Sequence, residues 1–297
     1  SEIFAGFDKR KMKRLEEYFR REGIRVGYFG LDLWYTYEKV GFAKEYVPDP
    51  GKYPEGFRDT LPVFLHMSAF DPENAYLDAY PFARDGRASV PLDPGLYERL
   101  AREFRLNNAI GVWHDWLWTQ QWGVRKLRCD PEFPDRWFTG MCEAFAGEGL
   151  PLMLCMPTVG HLMASTKAPN VIATRTFNDY AFKSRGQVAD LRRRGFEWAK
   201  LVPRRDYIIH NFLVSVLAYS LGLMPYFDVF ITNRRHSPPF AEPYAWEEAL
   251  MKALSCGIVG IGDAEGEVDK GIVNLLVMPD GRLAKPDRSE VVREETI

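Results

Sequence analysis

The stretch NNAIGVWHDWLWTQQW (residues 107–122) sets one carboxylate, Asp115, among four tryptophans, Trp113, Trp116, Trp118 and Trp122. A solvated acid has no need of such surroundings, and a buried, unpaired one pays a desolvation cost or gives up its charge. Carbohydrate suits the combination, because the C–H faces of a sugar stack on indole while its hydroxyls hydrogen-bond to carboxylates. Other polar residues close apolar runs in the same manner: Asp32 and Trp34, His66, Asp93, His114 with Asp115, Thr158 and His161, Arg175 and Asp179, Asp228 or Thr232, and Asp263. Cleaving a glycosidic bond takes two carboxyl groups in different protonation states, one to attack or to activate water and one to protonate the leaving oxygen. Asp115 and Asp179, at the ends of the fourth and sixth apolar runs, are the candidate pair. A carboxyl separation of about 5–5.5 Å would go with retention of configuration, and about 6.5–9.5 Å with inversion.

Such residues need a frame that brings strand ends together. Residues 9–21 have Met12, Leu15, Tyr18 and Phe19 at helical spacing and stop at Gly23. Eight apolar strands are then predicted: IRVGYFGLDLWYTY, LPVFLHMSAF, RASVPLDP, AIGVWHDW, LPLMLCMPT, NVIATRTFNDY, YFDVFIT and GIVGIGDA. Helical segments such as PGLYERLAREF, PDRWFTGMCEAFAGEG, DYIIHNFLVSVLAYSLG and AWEEALMKALSCG alternate with them. The pattern predicts an α/β fold, a (β/α)8 TIM barrel, whose chemistry lies at the C-terminal strand ends. Residues 51–60 are too few and too rich in Gly and Pro for a crossover helix, so the first half of the barrel is expected to be irregular.

Bulk composition narrows the partners. The chain has 297 residues, 46% of them hydrophobic, enough for one barrel domain over 1–297, and no Gly/Ser-rich linker marks a boundary. Thirty-nine basic and 41 acidic residues nearly cancel, which gives no electrostatic footprint for a nucleic acid partner. The runs DKRKMKR and LRRRGFEW are expected on solvated helix faces. Cys129, Cys142, Cys155 and Cys256 lack CxxC spacing, so neither a zinc knuckle nor a disulfide framework is predicted, and Cys155 and Cys256 are expected to be reduced core thiols. The absence of a signal-like start or an apolar run of about 18 residues predicts no membrane partner and a soluble, cytoplasmic protein.

Across residues 93–288 the order of motifs resembles the catalytic barrel of the α-galactosidase and raffinose synthase group of glycoside hydrolases. DPGLYERLAREF…AIGVWHDW is similar to the segment that ends in the group's nucleophile strand, and LCMPT to the Cys-Met strand that follows. ATRTFNDY resembles its Arg-x-x-x-Asp-aromatic strand, LMPYFDVF its Pro-containing strand, and ALSCGIVGIGDAEGEVDKGIVNLLVMPDGRL its Gly-rich eighth strand and Pro-Asp-Gly helix end. The resemblance implies Asp115 as nucleophile and Asp179 as acid/base with Arg175 beside it. It further implies Asp32, Trp34, His66, Trp113, His114, Asp228 and Asp263 as sugar-pocket residues, and a retaining reaction on α-glycosides, α-galactosides first, without metal or cofactor. Transfer to a second sugar is an open variant of that reaction. Two departures stand out. The group carries Lys two residues before the nucleophile, where this chain has Trp113; losing that cation should alter the pKa of Asp115 and its contacts to substrate hydroxyls. The 297 residues also carry no counterpart of the group's N-terminal β-sandwich or C-terminal sheet domain, so the cleft is expected to be more open or completed by a second subunit of a homo-oligomer.

Each residue also has a plain structural role open to it. Asp115 can pair with Arg125 or Arg175, Asp179 can form an Asx turn in FNDY, and Asp263 can cap the helix that follows. The tryptophans can pack barrel against helix. Two further functions compete: a metal-dependent barrel hydrolase with His66, His114 or His161 and Asp263 as ligands, and a sugar-binding barrel that does not cleave.

Overall fold

The computed structural model describes residues 7–183, 185–193, 195, 197, 199–235 and 241–288. Twelve strands are formed among them: β1 Phe29–Leu31, β2 Thr36–Lys39, β3 Phe42–Glu45, β4 Val63–Met67, β5 Ala69–Phe70, β6 Phe82–Asp85, β7 Ala88–Pro91, β8 Ala109–His114, β9 Leu152–Leu154, β10 Val171–Arg175, β11 Met224–Phe230 and β12 Ile258–Ile261. Seven of them form one sheet in the order β1-β4-β8-β9-β10-β11-β12, which is also their order along the chain. The pairings β1–β4, β4–β8, β8–β9, β10–β11 and β11–β12 are parallel. From β8 onward every crossover carries helix: Leu117–Gly123, Arg125–Cys129 and Phe133–Gly147 before β9, Val159–Ser165 before β10, Arg185–Arg193 and Arg204–Ser220 before β11, and Ala245–Leu254 before β12. This is the strand order of part of a (β/α)8 barrel.

The third expected strand is elsewhere. RASVPLDP does form β7, but β7 joins a second sheet of order β2-β3-β5-β7-β6 and runs antiparallel to both β5 and β6. The cause is local. Asp85 pairs with Ala88 across Gly86 and Arg87, and a two-residue connection forces antiparallel strands, whereas a parallel barrel strand needs a long crossover. The irregular first half takes a definite form: residues 46–62 make turns and no helix, and the β2–β3 pair fills the route from β1 to β4.

The chain packs as two compact units, residues 7–16 with 26–172, and residues 17–25 with the described residues from 173 onward. The first is built on aromatic packing. Trp34, Tyr46, Phe57, Phe70, Tyr97, Phe104 and Phe145 are all buried, and Trp34 meets Tyr35, Phe57 and Phe104 edge-on at 5.3–5.8 Å between ring centres. The second has a core of Tyr180, Tyr207, Phe230, Ile231, Ala245, Ala249, Ile272 and Leu276. Its helix Arg204–Ser220 buries Tyr207, Asn211, Ser215 and Ala218 and turns Ile209, Leu213 and Leu217 to solvent, the reverse of the usual amphipathic arrangement.

The basic runs fall on helices. DKRKMKR opens the helix Lys9–Glu22, but its Lys9 is buried and paired with Glu55 (3.3 Å) and Asp59 (2.6 Å) rather than solvated. Of LRRRGFEW, residues 194, 196 and 198 lie outside the described residues; Arg192 and Arg193 close the helix Arg185–Arg193. All four cysteines are free thiols, with Cys142 and Cys155 buried, Cys256 half-buried and Cys129 exposed. Among the described residues no helix is long and apolar enough to cross a membrane.

Candidate active site

In the first unit three of the anticipated residues meet. Asp32 follows β1, His66 lies near the end of β4, and Asp115 follows β8. Parallel register sets His66 beside Trp113 and Met67 beside His114, and the Asp115 amide then donates to Met67 O at 2.7 Å. His66 is buried between two carboxylates, with Nδ1 3.1 Å from Asp32 Oδ1 and Nε2 3.2 Å from Asp115 Oδ2. Tyr35 Oη is 3.3 Å from the same Nδ1, its ring stacked on the imidazole. The Trp113 ring stands edge-on to His66 at 5.2 Å.

Asp115 is the end of a strand turned sharply into a helix. Trp116 takes a left-handed φ of 60°, and its amide donates to Asp115 Oδ1 at 2.6 Å. Gly41 makes this turn fit: at φ 86° it has no side chain, and a Cβ there would collide with the Trp116 indole. Burial acts to raise the pKa of Asp115, but the hydrogen bond and charge of His66, the Cys155 thiol and the Trp116 amide outweigh it and hold the carboxyl below its ordinary value. Asp115 is therefore an anion at neutral pH, and its partners are His66, Cys155 and a backbone amide rather than Arg125.

The second unit gathers another set. Arg175 closes β10, and its Nη2 lies 2.7 Å from both Asp179 Oδ1 and Asp228 Oδ2. Asp228 sits inside β11 at φ 72°; its Oδ2 accepts from the Tyr180 amide and its Oδ1 from the Val229 amide, each at 2.8 Å. Lys252 supports the strained turn from behind, donating to the carbonyls of Phe227 (3.2 Å) and Asp228 (2.7 Å). Burial lowers the Lys252 pKa to about 8 against the pull of Glu248 and Asp228. Asp179 keeps 37% of its side chain exposed, whereas Arg175 keeps 6%.

Several anticipated residues serve packing instead. Trp34 is 1% exposed, with its Nε1 donating to His66 O at 2.8 Å, so its ring has no face to offer a sugar. His66 (1%) and His114 (0%) likewise present no surface. His114 Nδ1 donates to Asp115 O at 3.0 Å, and burial lowers its pKa to about 3. Asp263 takes the Thr232 amide on both oxygens at 3.0 Å, and it is Asp269, not Asp263, that caps the helix Lys270–Leu276. His161 Nδ1 accepts from the Thr158 amide in a capping box, and burial lowers its pKa to about 4. The side chains weighed as metal ligands thus hold other partners, and among the described residues no group of three or more His, Cys, Asp or Glu is placed to hold a metal ion. Of the four tryptophans, Trp118 and Trp122 are exposed and Trp113 and Trp116 half-buried.

Tyr35 and Lys252 were not anticipated. Nothing in the sequence sets Tyr35 apart from Trp34. Lys252 leaves a trace: Glu248 and Lys252, four apart, share the helix face that also carries Ala245 and Ala249.

No protein-family model matches the chain, and no curated protein matches it. Among solved structures it resembles TtGalA, the alpha-galactosidase from Thermus thermophilus in complex with stachyose, with a TM-score of 0.53 and 14% sequence identity over 88% of this chain. The chain spans 59% of the length of that enzyme. At that identity the likeness is one of backbone arrangement: the chain has a fold like that of a glycoside hydrolase.

Proposed function

We propose that this chain is a retaining glycoside hydrolase acting on α-glycosides, with α-galactosides as the preferred class. Asp115 attacks the anomeric carbon and forms a glycosyl–enzyme bond while Asp179, in its acid form, gives its proton to the departing oxygen. Asp179 then takes a proton from the water that displaces Asp115. Asp32 and Asp228, each partly exposed, accept sugar hydroxyls, and Trp113 borders the ring. No metal or cofactor enters these steps. The observation that best supports the reading is the Asp115 carboxylate, held ionised at the C-terminal end of β8 by His66, Cys155 and the Trp116 amide, on a fold like that of an α-galactosidase.

One observation favours a second reading. Asp179 is ion-paired with Arg175, and a general acid must first leave that pair. A sugar-binding protein that does not cleave would have no such demand. Aryl α- and β-glycosides offered to the purified protein, with the anomer of the released sugar followed by NMR, separate the two. Release of the α-anomer from an α-galactoside, lost in Asp115→Asn, supports the retaining hydrolase. Sugar binding by calorimetry with no release from any activated glycoside supports the binding protein.

A further inference from the structure

We propose that His66 is a fixed imidazolium that positions Asp115 and stabilises it as a leaving carboxylate, with Asp32 as the group that keeps the ring charged. The claim about the second displacement rests on the hydrolase reading above; the claim about the ring does not.

The geometry leaves few arrangements of protons. Carboxylate oxygens stand 3.1 Å from Nδ1 and 3.2 Å from Nε2, one at each end of the ring. A neutral ring has one N–H, so it would satisfy one carboxylate and turn a bare lone pair on the other, at hydrogen-bond distance and out of water. Two N–H groups satisfy both. A proton placed on Asp32 instead would give the same count, but a carboxylate binds a proton far more weakly than imidazole, with ordinary pKa values of about 3.9 and about 6.5, so the ring holds it. Tyr35 does not change the choice. Burial, with Tyr46 and Asp32 nearby, raises its pKa well above the phenol value, so it stays a neutral hydroxyl, able to give Nδ1 a second acceptor. Other neighbours include the Trp113 ring edge, neutral His114, and the Cys155 thiol that follows β9 and bonds to Asp115. None of them is a competing cation. The ring cannot swing away, since it is 1% exposed, stacked on Tyr35 and held through its backbone carbonyl by Trp34.

The consequence falls on one half of the reaction. When the glycosyl–enzyme bond breaks, its electron pair returns to Asp115 Oδ2, and an N–H of an imidazolium is already aimed there. Attack by Asp115 gains nothing comparable, because the same hydrogen bond must weaken as the oxygen gives up its charge. His66 therefore acts as a positioning residue that favours the second displacement over the first.

Two measurements test this. The first needs no substrate. Long-range 1H–15N spectra of protein labelled on its five histidines, with His66 assigned by its loss in His66→Gln or its shift in Asp32→Asn, should show both ring nitrogens protonated at pH 7 and still so at pH 8. In Asp32→Asn the ring should lose its proton at least one pH unit lower, while Tyr35→Phe should leave it charged. A neutral ring at pH 7 in the wild type overturns the proposal, and so does a charged ring that ignores Asp32→Asn. The second follows turnover of an activated α-glycoside at pH 7 by His66→Gln, a change at a side chain that presents no surface to substrate. kcat and KM should fall together by about tenfold, the worth of one charge-assisted hydrogen bond, with kcat/KM held within about threefold. A fall confined to kcat/KM overturns the positioning role. A charged ring in a protein that cleaves no glycoside leaves the ring assignment standing and removes the hydrolase reading instead.

Discussion

Arg175 reaches Asp179 with the same Nη2 atom that it gives to Asp228, 2.7 Å from an oxygen of each. The two carboxylates are not equivalent. Asp228 is largely buried and also holds the Tyr180 and Val229 amides, whereas Asp179 is more than a third exposed. Removing one partner of a buried pair leaves a charge uncompensated, and an exposed partner is worth little. Asp228→Asn should therefore cost about 2–4 kcal/mol in chemical denaturation, and Asp179→Asn less than about 1 kcal/mol. Activity should rank the other way if Asp179 is the acid/base: Asp179→Asn should lose about 10²–10⁴-fold on a substrate with a poor leaving group. On an activated aryl glycoside, which needs no proton to depart, the loss in the first step should be much smaller. Equal losses on both substrates would remove Asp179 from that role.

The buried histidines predict how the fold responds to acid. Burial lowers His114 to about 3 and His161 to about 4, against about 6.5 in an unfolded chain. The unfolded state then binds more protons over that interval, so stability is fully present above pH 6.5 and is lost as pH falls toward 4 and 3. Each histidine should cost about 2 kcal/mol between pH 7.5 and pH 5. Asp115, also lowered, adds a loss that begins only below the ordinary carboxylate range. The loss of unfolding free energy in urea between pH 7.5 and 5 should be smaller by about 2 kcal/mol in His161→Gln, which can keep the Thr158 amide bonded, than in the wild type. An unchanged loss in that variant would mean that His161 is not held neutral.

What the sequence disclosed and what it hid divide along a physical line. Polar residues that close a strand were legible, because strand ends are where polarity breaks an apolar run; Asp32, His66 and Asp115 were found in this way, and they do meet. Burial of the individual side chain was not legible. Trp34 and His114 stand at strand ends too, yet their side chains point into packing, and one-residue alternation along a short strand does not say which face a closing residue takes. β7 was misplaced because an apolar run reads alike in a parallel and an antiparallel sheet; the Asp85-Gly86 hairpin signal beside it was the better guide. The contact between Tyr35 and His66 joins residues 31 apart, and no local pattern reports it.

Gly41 offers a test of how Asp115 is aimed. Its φ of 86° and its contact with the Trp116 indole allow no Cβ, and Trp116 itself occupies the left-handed turn whose amide holds Asp115 Oδ1. Gly41→Ala should cost about 2–4 kcal/mol, combining overpacking with an unfavourable φ. In protein that still folds, Trp116 must shift and the Asp115 carboxylate with it, so kcat should fall by more than tenfold at a temperature where the variant is fully native. Gly23→Ala, also at positive φ but with nothing within 4 Å of the added carbon, controls for backbone strain and should leave kcat unchanged.

The helix Arg204–Ser220 yields a prediction that hydropathy alone would reverse. Its inward face is polar: Tyr207 Oη donates to Phe227 O, Asn211 Oδ1 accepts from Thr176 Oγ1, and Ser215 Oγ donates to Asn211 O, each at 2.5 Å. Asn211 is fully buried, whereas Leu213 is 64% exposed. Asn211→Leu would leave Thr176 only its longer bond to Tyr226 O (3.2 Å) and force a branched chain against β11, so it should destabilise by about 2 kcal/mol or more. Leu213→Gln should change stability by no more than about 0.5 kcal/mol. Urea denaturation of the two variants at pH 7.5 decides between the faces. If Leu213→Gln proves the more damaging, the helix is turned the other way and Tyr207 cannot be the residue that reaches the carbonyl beside Asp228.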